Sequence, residues 1–181
     1  MKLYTIASGS SGNCVCIQTE NTCVLVDAGV TAKRVESGLA ALGLGLSQLD
    51  AILITHEHID HVRGIEVLTK KYPIPVYGTK ETLQEYCHCV KQAERLEQLM
   101  HYVNPGERFC IKDIVADTFS TSHDAGLLPD IISGNLIHKR FGNFDVVAED
   151  TVEANLQRPD AGPLLVGGLD GGDGAAAAFH D

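Results

Sequence analysis

The chain has 181 residues, 44% of them hydrophobic and 21% charged, which suits one globular domain with a sizeable core. Its formal net charge of −10 argues against a broad basic footprint for nucleic acid, although the acidity is uneven: residues 1–125 carry 11 Lys+Arg against 15 Asp+Glu, and residues 126–181 carry 3 against 9. No window approaches the roughly 18 consecutive apolar residues of a membrane span. The segment from Met1 to Gly9 turns polar too early for a signal peptide, and six cysteines are too few for a disulfide scaffold, so the expectation is a cytoplasmic protein with reduced thiols and no membrane partner.

In chain order, short alternating or β-branched apolar blocks predict strands at Leu3 to Ala7, Cys14 to Thr19 and Cys23 to Val26. Helical spacing from Thr31 to Leu42, closed by Gly43, predicts the first helix. Ala51 to Thr55 reads as a further strand, and His61 to Lys71 as a helix with Val62, Ile65 and Leu68 on one face. Pro73 and Pro75 lead into a short strand at Val76 and Tyr77, and Lys80 to Met100 supports one or two helices. Two β segments follow, Arg108 to Lys112 and Ile114 to Thr121. Strands alternating with helices define an α/β fold for residues 1–125. From Gly126 the pattern loosens, and Leu164 to Ala178 approaches low complexity with six glycines between 162 and 174, so 126–181 is expected to be a divergent, acidic, poorly packed segment.

The chemistry concentrates in Thr55-His56-Glu57-His58-Ile59-Asp60-His61. An apolar strand ends on four metal-capable side chains within six residues, and a helix starts at once. In extended chain, residues i and i+2 point the same way, so His56 and His58 converge on one ion. Asp60 and His61, in the turn that opens the helix, face a neighbouring position for a second ion. Imidazole with carboxylate suits Zn²⁺, Mn²⁺ or Fe²⁺. The absence of cysteine from the cluster favours an open, catalytic site over a closed structural zinc site. A solvated loop would explain one such histidine, but not four candidate ligands fused to a strand end and a helix start.

His56-x-His58-x-Asp60-His61 resembles the signature of the metallo-β-lactamase superfamily. Val24-Leu25-Val26-Asp27-Ala28-Gly29 is similar to its early Asp-x-Gly strand, and Ser122-His123-Asp124 to the site of its third histidine. Ala7-Ser8-Gly9-Ser10-Ser11-Gly12-Asn13-Cys14 resembles the opening of the bacterial WalJ/YycJ-like group, whose members are similar to exonucleases acting on duplex DNA. The resemblance covers residues 1–125. It implies an αββα sandwich and two divalent ions, with His56, His58 and His123 on the first and Asp60 and His61 on the second. Asp60 would also transfer the proton, and Asp27 would hold the ligand loop by hydrogen bonds without itself binding metal.

The family pattern also needs a bridging aspartate and a final histidine after the third one. Asp150, at the end of a strand-like Phe144 to Asp150, is the best bridging candidate, with Asp145 the runner-up. His180 lies too close behind to serve as the last ligand. A sandwich incomplete in its C-terminal half is therefore expected. Three readings stay open: a metal-dependent nuclease with DNA as substrate, a thioester or lactone hydrolase on the same fold, and a metal-binding remnant without turnover. Oligomeric state is not readable. Elsewhere, Cys87-His88-Cys89 reads as a helix segment and not a zinc module, Gly9 to Asn13 as a turn lining the site rim, and Lys70-Lys71 as a charged helix end.

Overall fold

In a computed structural model of the chain, residues 1–119 are described in full, and the strands at 131–133, 136–141 and 144–149 by their backbone. One six-stranded mixed sheet runs in the order β1-β2-β3-β4-β5-β6, comprising Lys2–Ala7, Cys14–Gln18, Cys23–Val26, Ala51–Leu53, Val76–Gly78 and Met100–Tyr102. The first three strands pair antiparallel, and β3 through β6 pair parallel. A five-stranded antiparallel sheet has the order β7-β8-β11-β10-β9: Arg108–Ile111, Ile114–Thr118, Phe144–Glu149, Leu136–Phe141 and Ile131–Ser133. The helices are α1 (Ala32–Ala41), α2 (Ile59–Val62), α3 (Ile65–Lys71), α4 (Lys80–Cys89) and α5 (Ala93–Glu97). Among the described residues, no helix is long and apolar enough to cross a membrane.

The first sheet is buried on both faces, which is why β3 reads Cys-Val-Leu-Val and β4 Ala-Ile-Leu without polar alternation. Leu25, Ile52 and Val76 face one core with Val35 and Leu39 of α1, Ile65 and Leu68 of α3, Leu83 of α4 and Leu96 of α5. Their neighbours Val24, Val26 and Leu53 face the other core with Ile111 and Ile114 of the second sheet. A helix layer, a mixed sheet and an antiparallel sheet thus stack in order, the α/β sandwich that the sequence implied. Burying each of these side chains is worth roughly 1.5–3 kcal/mol.

Local signals act where expected. Thr31 caps α1 by accepting from the Arg34 N–H at 3.3 Å, and Gly43 takes the left-handed turn (φ 75°) after the helix ends. Two elements differ from the sequence reading. The single helix expected over 61–71 is split at Arg63-Gly64, because Gly64 lies against the next loop: a Cβ there would come 2.5 Å from the Val30 carbonyl oxygen, and its N–H donates to the Ala28 carbonyl at 2.7 Å. Met100, expected in a helix, starts β6, because its short segment completes the parallel ladder beside β5. Within the acidic segment, β11 pairs with β8 from Phe144↔Thr118 to Val147↔Val115, as the strand-like run from Phe144 suggested.

Candidate metal centre

Parallel pairing of β3 and β4 brings both C-terminal ends to the same edge of the sheet, with Val26 opposite Leu53. Asp27 continues the ladder by one bond, its N–H donating to the Leu53 carbonyl at 2.8 Å, and then turns the chain with a left-handed φ of 60°. That conformation is uncommon outside glycine but tolerated by aspartate. The loop beyond is braced by three backbone bonds: Ala28 N–H to the His61 carbonyl (2.8 Å), Gly29 N–H to the Asn13 carbonyl (2.8 Å) and Asn13 N–H to the Asp60 carbonyl (2.7 Å). Three loops distant in sequence meet here, and they meet closely. A Cβ on Gly29 would lie 1.6 Å from the Asp60 carbonyl oxygen.

The buried Asp27 carboxylate organises the side chains. It accepts from the Thr55 N–H at 2.9 Å, from the Thr55 hydroxyl, whose Oγ1 lies 2.8 and 3.0 Å from its two oxygens, and from His61 Nδ1 at 2.7 Å. A carboxylate only accepts, so His61 carries a proton on Nδ1, and in its neutral form presents Nε2 as the lone-pair nitrogen. This carboxylate–imidazole pairing is the arrangement that orients a ligating histidine. Thr55 Oγ1 also lies 3.1 Å from His56 Nδ1. With its own hydrogen given to Asp27, the oxygen accepts there, which aims His56 Nε2 away from Thr55. The His56 ring stands 3.7 Å from that of His61 and 4.8 Å from that of His58, centroid to centroid. The Asp60 carboxylate lies 3.5 Å from His61 Nε2.

Electrostatics separates the two adjoining imidazoles. Burial and then the nearby His61 lower the His56 pKa. Burial also works against charge on His61, but the hydrogen bond to Asp27 and the charges of Asp27 and Asp60 outweigh it and raise the pKa. Cys14, next to Asn13 in sequence, stays a neutral thiol, since burial and the Asp27 charge push its pKa far up. The donors gathered here are imidazole nitrogen and carboxylate oxygen without thiolate, a set that fits a borderline divalent cation.

His56, His58, Asp60 and His61 are thus brought to one place. Among the described residues, no group of three or more His, Cys, Asp or Glu side chains closes tightly enough to hold an ion by itself. The third imidazole expected, His123, and the bridging candidate Asp150 lie outside the described residues. Asp145 lies in β11 opposite Asp117. Cys87-His88-Cys89 forms the last turn of α4, with Cys87 buried beside Met100 and Cys89 exposed, which fits the helix reading. Sequence reasoning placed Asn13 only in a turn along the site rim and gave Thr55 no role of its own. Asn13 Nδ2 lies 3.1 Å from His61 Nε2 and 3.4 Å from Asp60 Oδ2, a convergence 47 residues apart that no local pattern shows.

The chain is similar to proteins of known family and structure. The chain is 38% identical over 124 residues to exodeoxyribonuclease WalJ of Streptococcus pneumoniae, covering 68% of this chain and 46% of that protein. It is 35% identical over 120 residues to exodeoxyribonuclease YycJ of Bacillus anthracis, covering 66% and 45%. A shorter match, 54% identical over 61 residues, is to hydroxyacylglutathione hydrolase of Hamiltonella defensa, covering 33% of this chain and 23% of that one. The matched region therefore spans less than half of each relative. Among solved structures, BJP-1, a subclass B3 metallo-beta-lactamase of Bradyrhizobium japonicum, superposes with a TM-score of 0.53 at 17% identity, covering 74% of this chain and 53% of that one. The metallo-beta-lactamase superfamily model matches residues 7–148, most of the chain and all of the edge where β3 and β4 end, and the chain belongs to that superfamily.

Proposed function

We propose that the chain contributes a metal-dependent hydrolytic centre acting on DNA phosphodiester bonds as an exonuclease. His56 and His58, joined by His123, would hold one divalent ion, and Asp60 and His61, with Asp150, a second. When bound, such ions supply Lewis acidity that brings the pKa of a water towards neutrality and offsets charge on the oxygens of a displacement at phosphorus. The chain's own residues do the rest. Asp27 holds a proton on His61 Nδ1, Thr55 ties His56 to the same carboxylate, and Asp60, beside His61 Nε2, is the proton-transfer group.

The observation that carries this reading is the Asp27–His61 pair at 2.7 Å, which presents a coordinating nitrogen beside the His56 ring. Likeness to WalJ and YycJ over about two thirds of the chain favours DNA as substrate. The hydroxyacylglutathione hydrolase match, over a third of the chain, supports the second reading, thioester or lactone hydrolysis at the same centre.

The test is metal content per purified chain, followed by turnover of end-labelled duplex DNA and of a thioester with and without Mn²⁺ or Zn²⁺. Two ions per chain and metal-stimulated loss of nucleotides from DNA ends, abolished in His58→Ala, support the proposal. Thioester turnover without DNA cleavage moves the assignment to the second reading. About one ion and no turnover of either substrate marks a remnant that binds metal without catalysing.

A further inference from the structure

Asn13 ends the Gly9-Ser10-Ser11-Gly12 turn, and every polar group it has is used. Its backbone N–H donates to the Asp60 carbonyl at 2.7 Å, and its carbonyl accepts from Gly29 at 2.8 Å. Its side-chain oxygen accepts from the Gly9 N–H at 3.0 Å. That bond fixes which end of the carboxamide faces the ligands. A flipped amide would set its NH₂ against the Gly9 N–H and its oxygen against the Asp60 carboxylate, two like-with-like contacts. The NH₂ must therefore face Asp60 and His61.

Two hydrogens on Nδ2 serve three acceptors. His61 Nε2 is nearest at 3.1 Å, while Asp60 Oδ2 at 3.4 Å and the Asp60 carbonyl at 3.5 Å share the other hydrogen. Because Asp27 holds a His61 proton on Nδ1, the nitrogen that Asn13 contacts is, in the neutral ring, the lone-pair nitrogen, the one a cation would take.

We propose that Asn13 is a positioning residue of the metal centre: its carboxamide satisfies the coordinating nitrogen of His61 while no cation is bound, and holds the Asp60 carboxylate beside that nitrogen when one is. The role rests on the metal-centre reading above. Asn13 keeps Nε2 and Oδ2 paired at ligand spacing, so the cation meets an arranged pair and not two side chains that must each be reoriented. Partners of this kind outside the ligand set typically change metal affinity by about 10–100-fold when removed.

The experiment is Zn²⁺ titration of the full chain in competition with a chromogenic chelator, comparing wild type with Asn13→Ala, together with a long-range ¹H–¹⁵N spectrum of the histidine rings without metal. Expected are a loss of about 10–100-fold in Zn²⁺ affinity, little change in the metal-free melting temperature, and a displaced His61 Nε2 resonance. A purely structural role would not move that resonance selectively. Zn²⁺ bound equally by both proteins, or an unmoved resonance, overturns the assignment while leaving the metal-centre reading intact. Wild type that takes up no Zn²⁺ sinks that reading and this role with it. If Asn13→Ala does not fold, Asn13→Asp retains the shape and the acceptor for Gly9 but loses the donor, and its Nε2 resonance must move too.

Discussion

The two ends of the six-stranded sheet use the same materials for different purposes. At one end, where β3 and β4 finish, the buried Asp27 carboxylate gathers a backbone N–H, a threonine hydroxyl and an imidazole within 3.0 Å. At the other, the β2–β3 turn meets the β7–β8 turn. There the Asp113 carboxylate accepts from the hydroxyls of Thr19 (2.9 Å) and Thr22. Lys112 bridges the Asp50 carboxylate at 2.7 Å and the Asn21 carbonyl at 3.1 Å. The far end clasps one sheet to the other through an exposed aspartate, Asp113, and an exposed lysine, Lys112. The near end encloses its carboxylate and sets the His61 ring beside that of His56. Both ends hold an aspartate bonded by threonines, so residue type does not separate them. Burial, and a histidine with a second nitrogen to present, do.

Substitution of Asp27 is the largest way to break that contrast. Asp27→Ala strands the Thr55 and His61 donors in a buried site, a loss on the order of 3–5 kcal/mol in chemical denaturation, together with Zn²⁺ affinity. A loss under about 1 kcal/mol, the range of an exposed pair, would make the near end no different from the far one. Gly29→Ala comes next. The added methyl would fall 1.6 Å from a backbone oxygen, which no rotamer change relieves, so Asn13, Asp60 and the Asp27 loop must separate. Overpacking of this kind costs about 1–3 kcal/mol or more. A parallel drop in metal affinity is expected, because the shifted backbone carries Asp60. Unchanged melting and metal uptake would show that the three loops are not tightly joined.

Much of this site was legible locally, and what was not is separated in sequence. The strand end, the His56 to His61 cluster and the following helix lie within one stretch, so spacing alone located them. Asp27 entered through family likeness, and its bond to His61 spans 34 residues. Asn13 reaches Asp60 and His61 across 47 and 48 residues, so its turn could be placed at the site rim but these contacts could not be read. The break at Gly64 was hidden for a related reason: apolar spacing runs unbroken through Val62, Ile65 and Leu68, while the Gly64 N–H leaves the helix for the Ala28 carbonyl. β6 is three residues fixed by its neighbour β5, a tertiary choice that helical spacing before it obscured. The acidic stretch showed β11 because Phe144 to Ala148 is an apolar, β-branched run broken only by Asp145. Its neighbour β10, and β9 beyond it, carried no comparable pattern.

At the far end, effects should be small, which is the other half of the comparison. Lys112 is a non-glycine residue with φ of 52°, and its ion pair with Asp50 is partly exposed. Lys112→Ala removes an exchange with solvent more than a buried contact, so a loss of about 0–1 kcal/mol is expected in denaturant titration. A loss as large as that of Asp27→Ala would mean that the clasp between sheets, and not the enclosed carboxylate, dominates stability.

The smallest effect is one of pH. Burial tends to raise the Asp113 pKa, but hydrogen bonds from Thr22 and Thr19, from its own backbone and from Asn21 outweigh it, and the pKa is lowered. A carboxyl whose folded pKa lies below its unfolded value of about 3.9 stabilises the fold fully above that value. The contribution fades as pH falls through the depressed folded pKa, because protonation then costs the folded state its hydrogen bonds to the anion. Asp113→Asn removes this dependence while keeping a side chain of the same shape. The stability gap between wild type and Asp113→Asn should therefore be constant from neutral pH to about pH 5, and narrow below about pH 4. A gap that stays constant to pH 2, or widens in acid, would show that the threonines bind the aspartate for its shape and not for its charge.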